Sequence, residues 1–371
     1  MNKKLISLLL SAALAVSMLT VPAFAAEGGE ADAALDETNE VVVTLGDTVT
    51  ASTVEDTDKA TADKTAANKT ETADSAPAAS TEKKQITYVA LGDSIVAGVG
   101  LADVKYAKDS TTLYSVDMSP NFKGYSSDCY VGKVAAMMGL DRDHAINLGL
   151  PALTAPDLAD MVRDGQMPKM NMESGCWYKY PEFQDYIRKA DVVSVQIGSN
   201  DAFVPCIVAL GNATNWKSEA LAASVLAGDL RASGSPAAAL IQGIKEMHLT
   251  RDERNATWNL LTSEMGKICD RIYPQTTAGL ISVVQEIRKL NPDCQILLMG
   301  YTDPVPFVPC WHNYFKKLNK FEKQLAETYD LTYVAIPKAK TDLDVHPTIS
   351  GHEYIAKKIV NSIELPEDSA Q

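Results

Sequence analysis

From Gln85 onward, short apolar runs alternate with longer stretches in which apolar residues recur every three or four positions. The runs "ITYVAL" (86–91), "AINLG" (145–149), "VVSVQIG" (192–198), "CQILLMGY" (294–301) and "LTYVAI" (331–336) are mostly apolar on both faces, which predicts strands of a parallel sheet covered by helices. Between them, "DCYVGKVAAMMGL", "TTAGLISVVQEIRKL" and "WHNYFKKLNKFEKQLAETY" carry the spacing of amphipathic helices. Alternation of the two predicts a doubly wound α/β domain over 85–365 with right-handed crossovers. The longest interval between strands, 201–292, contains several helical candidates, including "SEALAASVLAGDL" and "RNATWNLLTSEMGKICDRIY", and reads as an elaboration of the same domain, a helical cap.

The pattern is different before Gln85. Met1–Ala25 has Lys3 and Lys4, an apolar core and Ala23-Phe24-Ala25 as a small-x-small cleavage site, the layout of a secretory signal peptide. Residues 26–84 are rich in Ala, Thr, Glu, Asp and Lys and poor in large apolar side chains, which predicts a disordered linker. Within it only "VVVTLGDTVT" resembles a strand, and a small folded module is the competing reading. Residues 366–371 form a short tail. These features predict a secreted, extracellular protein without a stable membrane anchor; the sequence is silent on oligomeric state.

The net charge of −14 becomes −16 once the two leader lysines are removed, which disfavours nucleic acid as a partner. Six cysteines, at 129, 176, 206, 269, 294 and 310, permit up to three disulfides in an exported chain, buried thiols being the other reading. No CxxC pair suggests a zinc site.

In open α/β sheets ligands bind beyond the carboxyl ends of the strands, so the residues just after each strand are the candidates for chemistry. Four blocks qualify. Gly92-Asp93-Ser94 places a hydroxyl after the first strand, although Val96 departs from a GxSxG elbow. "NLGLPALTAPDL" (147–158) is a turn able to supply backbone donors. Gly198-Ser199-Asn200-Asp201 brings a side-chain amide, a donor suited to an oxyanion. "TDLDVHPTISGHEYIAKKIV" (341–360) joins His346 to Asp342 and Asp344, an imidazole with a candidate orienting carboxylate. Taken singly, each block also reads as turn or capping chemistry. A further insertion, "GQMPKMNMESGCWYKYPEF" (165–183), is rich in Met and aromatics and either lines an acyl or sugar pocket or packs on the core.

In this order the four blocks resemble the SGNH hydrolases, also called GDSL esterases and lipases, over 85 to about 363. The resemblance implies a three-layer α/β/α fold with a five-stranded, flavodoxin-like parallel sheet and a helical insertion after the third strand. It implies an esterase that needs no cofactor and acts on an ester, whether a small molecule or an acylated glycan or lipid. Ser94 matches the family nucleophile, His346 the general base, and Ser94, Ala152 and Asn200 the oxyanion donors. Two positions depart from the family pattern. Ala152 stands where the family has glycine, with Gly149 a second candidate donor. Leu343 stands where the acid is common, which leaves Asp344, then Asp342 or a backbone carbonyl, to orient His346.

Overall fold

The computed structural model describes residues 85–101, 103–104, 122–173, 175–226, 229–304, 308–341 and 345–364. The leader, the 26–84 segment with its "VVVTL" run, the tail, and both Asp342 and Asp344 lie outside them.

All five predicted strands form. β1 (Tyr88–Gly92), β2 (Ala145–Gly149), β3 (Val192–Gln196), β4 (Gln295–Met299) and β5 (Thr332–Val334) make one parallel sheet in the order β2-β1-β3-β4-β5. Every residue of β1, β2 and β3 is buried, as their two-sided apolar composition requires. Gly92 pairs in register with Gly149 on one side and Gln196 on the other, so the chain leaves these three strands at a common edge. Gly92 has φ +153°, and a Cβ there would sit 2.0 Å from the Gln196 carbonyl oxygen. Only glycine lets β1 end this close to β3.

Helices flank the sheet in the three-layer arrangement that the resemblance implies. In chain order they are α1 (Ser94–Ala97), α2 (Tyr130–Met138), α3 (Ala155–Asp164), α4 (Phe183–Lys189), α5 (Ser199–Ala213), α6 (Glu219–Leu226), α7 (Asp229–Ala232), α8 (Pro236–Glu246), α9 (Arg251–Asn259), α10 (Met265–Leu290), α11 (Pro309–Thr328) and α12 (Ile349–Val360). The interval after β3 is helical as expected, α5 to α10, with a π-helical turn at Leu260–Glu264 joining α9 to α10. Among the described residues no helix is long and apolar enough to cross a membrane.

The cysteines correct one expectation: all six are described, and no disulfide joins them. Five are buried and serve packing and local hydrogen bonding. The Cys129 sulfur accepts from the Gly132 N–H at 3.4 Å, and the Cys294 thiol donates to the Asn291 carbonyl at 3.4 Å.

Candidate active site

The sheet order reverses between β1 and its two neighbours, and a crevice at such a switch point is where an open α/β sheet takes its ligand. β1 delivers Ser94 there. Asp93 caps α1 by accepting the Ile95 N–H at 2.9 Å, which starts the helix with Ser94 as its first residue. Asp93 is 0 % exposed, and its other oxygen accepts from the Ser199 hydroxyl at 2.7 Å and the Tyr301 hydroxyl at 3.0 Å. Burial raises the Asp93 carboxyl above its ordinary value, while these hydrogen bonds and the nearby His346 oppose the shift. A single carboxylate thereby joins the ends of β1, β3 and β4.

After β5 the chain turns through His346. The loop is held by the Thr348 N–H donating to the Lys340 carbonyl at 2.7 Å, and Thr348 caps α12 by accepting from the Gly351 N–H at 3.1 Å. His346 is 1 % exposed and its Nε2 lies 3.0 Å from Ser94 Oγ. Residues 252 positions apart in sequence thus form a hydroxyl–imidazole pair.

The turn after β2 supplies donors. The Leu150 N–H donates to the Gly92 carbonyl at 2.9 Å, which fastens the turn to the end of β1, and the Leu153 N–H closes it on the Leu150 carbonyl at 3.3 Å. Ala152 has φ +60°, the left-handed region that glycine occupies without strain. The substitution at the family's glycine position therefore keeps a glycine-like backbone. The Gly149 N–H is already committed to Asn147 Oδ1 at 2.9 Å, whereas among the described residues no acceptor takes the N–H of Ala152 or of Ser94. Asn200, in the first turn of α5, gives one amide hydrogen to the Leu153 carbonyl at 3.0 Å, and its nitrogen carries a second. Next to it, the buried Asp201 accepts the Ala155 N–H at 2.9 Å, tying α5 to the start of α3.

Ser94, His346, Ala152 and Asn200 are therefore brought together through this bond network, while Asp344 falls outside the described residues. The other histidines lie elsewhere. His352 is buried on α12, with Nδ1 accepting from the Tyr130 N–H at 3.2 Å; His144 and His312 pair with Asp141 at 2.7 Å and Asp303 at 2.9 Å. Sequence reasoning missed Ser199 and Tyr301 as partners of Asp93. Tyr301 ends the predicted strand "CQILLMGY", so inspecting that strand end as the other four were inspected would have reached it.

A hydroxyl bonded to an imidazole, beside uncommitted N–H groups, is the equipment of acyl transfer through a serine. The class defined by fold and site is thus an α/β/α hydrolase. The family model of the GDSL-like lipases and acylhydrolases matches residues 90–354, and the chain belongs to that family, whose members are carboxylic ester hydrolases. Comparison with curated proteins by sequence found no match. Solved structures with a similar chain path include an extracellular lipase from Streptomyces rimosus at 13 % identity and TM-score 0.44, covering 75 % of this chain and 100 % of its own. A carbohydrate acetylesterase from Sinorhizobium meliloti aligns at 14 % identity and TM-score 0.40, covering 74 % and 97 %. A lipase from a goat rumen metagenome aligns at 13 % identity and TM-score 0.41, covering 75 % and 97 %.

Proposed function

We propose that this protein is a secreted serine esterase that releases short acyl groups, including O-acetyl groups on carbohydrates, through an acyl-enzyme. The observation that carries the reading is the 3.0 Å approach of His346 Nε2 to Ser94 Oγ. His346 takes the Ser94 proton as the oxygen attacks the ester carbonyl. The N–H groups of Ser94 and Ala152 and the second amide hydrogen of Asn200 hold the resulting oxyanion. Collapse expels the alcohol, which receives the proton from His346. Water, deprotonated by His346, then attacks the acyl-serine; the acyl–Oγ bond breaks, His346 returns the proton to Ser94 Oγ, and the acid leaves. In this reading Asp344 orients the imidazole, and export follows from the Met1–Ala25 leader.

Ser94→Ala is expected to abolish p-nitrophenyl acetate hydrolysis and fluorophosphonate labelling without changing the fold; retained hydrolysis overturns the serine mechanism. A wild-type protein that neither hydrolyses nor labels would instead be a catalytically silent glycan-binding domain. A second reading, a lipase for longer chains, is favoured by apolar side chains on the 165–183 insertion, where Trp177 is 50 % and Met172 86 % exposed. Rates on C2, C4 and C8 esters and on acetylated xylan separate the two.

A further inference from the structure

The 165–183 insertion returns toward the active site as a short antiparallel ribbon. The Met167 N–H donates to the Tyr178 carbonyl at 2.9 Å, the Tyr180 N–H to the Gly165 carbonyl at 2.7 Å, and Gln166 bridges Lys179. Gly165, at φ +67°, is the C-cap of α3, so the ribbon springs from the helix that follows the donor turn. Its tip is tied back to the start of the same helix, where Asn171 Nδ2 donates to Asp157 Oδ2 at 2.9 Å within the Thr154–Asp157 capping box. On this closed frame Tyr178 points at the turn, and its hydroxyl donates to the Pro151 carbonyl oxygen at 2.8 Å.

That carbonyl belongs to the same peptide unit as the Ala152 N–H. Among the described residues there are no cis peptide bonds, and across a trans peptide the C=O and N–H point in opposite directions. A hydroxyl fixed on the oxygen therefore sets the direction of the N–H on the far side of the plane. It also withdraws charge from the amide, and a hydrogen bond received at C=O strengthens the donor at N–H. The peptide needs such a support, because Ala152 holds the left-handed conformation without being glycine. The opposite end of the turn is held by Asn200 on the Leu153 carbonyl.

We infer that Tyr178 is a positioning residue of the oxyanion hole: by holding the Pro151 carbonyl it aims and polarises the Ala152 N–H toward the developing charge. The inference rests on the serine mechanism proposed above and gives the insertion a catalytic purpose distinct from acyl-chain or sugar binding. Burial pushes the Tyr178 phenol well above its ordinary value, so it remains a donor across the working pH range.

The test is Tyr178→Phe, which removes the hydroxyl and keeps the ring. Rates are divided by the active fraction titrated with a fluorophosphonate, so that misfolded protein drops out of the comparison. Loss of an oxyanion donor costs about 10²–10³ in kcat. A donor still present but unaimed should cost less, about tenfold, with KM within about twofold of wild type. A phenylboronic acid that mimics the tetrahedral intermediate should bind Tyr178→Phe weaker by the same factor, while the product acid binds as before. An unchanged kcat, or a loss appearing in KM with unaltered boronic acid affinity, overturns the role of Tyr178. Ser94→Ala assayed alongside distinguishes the two readings: hydrolysis surviving in it overturns the serine mechanism and this inference together.

Discussion

Replacing Asp201 by Asn tests how the buried side of the site responds to pH. Asp201 is buried at the start of α5, one residue from Asn200, and it accepts the Ala155 N–H at 2.9 Å. Burial raises its carboxyl from 3.8 to about 7, with a further push from Asp157 and opposition from the hydrogen bonds of Ala155 and Thr276. The unfolded chain releases this proton near 3.8, whereas the folded protein keeps it to about pH 7, so the native state binds more protons throughout that interval. Stability contributed at this site is therefore full below about pH 4, declines as pH rises, and levels off above about 7. The whole decline amounts to about 4 kcal/mol. Asparagine retains a carbonyl to accept from Ala155 and carries no charge. Relative to wild type, Asp201→Asn should thus gain stability as pH rises from 4.5 to 8, by about 3 kcal/mol, or ~10 °C in Tm for a domain of this size. Urea unfolding followed by tryptophan fluorescence at several pH values measures the difference. Parallel pH profiles for the two proteins would refute the reasoning, since they would mean that Asp201 titrates alike in both states.

Two other substitutions probe strain and polar burial. Ala152→Gly relieves a left-handed alanine worth about 1 kcal/mol but loosens the unfolded chain by a similar amount, so Tm should move by no more than ~3 °C and kcat/KM should stay within about threefold. Ala152→Val places a β-branched residue at φ +60° and should lower both Tm and kcat, which thermal melts and steady-state kinetics check together. Glu322, on α11, is 0 % exposed with neither carboxyl oxygen hydrogen-bonded among the described residues, and burial holds its carboxyl well above the ordinary value. Glu322→Met should stabilise by about 1–3 kcal/mol at neutral pH, with less gain near pH 4; a destabilised variant in calorimetry would show that the carboxyl has a structural partner.

Much of the architecture is a direct consequence of the residue pattern. Strands such as "VVSVQIG" are apolar on both faces because helices must cover both, and each predicted strand is present: β2 with the predicted ends, β1 shifted toward Gly92, and β3, β4 and β5 shortened by one or two residues at an end. The helices follow from their spacing as plainly, with "DCYVGKVAAMMGL" holding α2 and "TTAGLISVVQEIRKL" lying within α10. Ser94, Asn200 and His346 stand out as candidates because a parallel sheet presents its ligand-binding edge after its strands, and because the four blocks together resemble one family.

What the pattern left open depends on which strands are neighbours and on how loops pack. Six cysteines in one chain permit bridges or buried thiols, and only the fold sets each sulfur's neighbours: all six are free, with the Cys269 side chain against those of Cys206 and Cys310. Ser199 and Tyr301 converge on Asp93 only because β1 and β4 both flank β3. Nothing in "CWYKYP" marks Tyr178 as a partner of Pro151, since an irregular ribbon has no periodicity that would predict where it docks. The sequence by itself determined the strands, their order and which side chains follow them, because these follow from local propensity and from the alternation of strand and helix. The backbone conformation of Ala152, and which donors are left uncommitted around Ser94, were decided by tertiary structure alone, because each depends on contacts between segments distant in the chain.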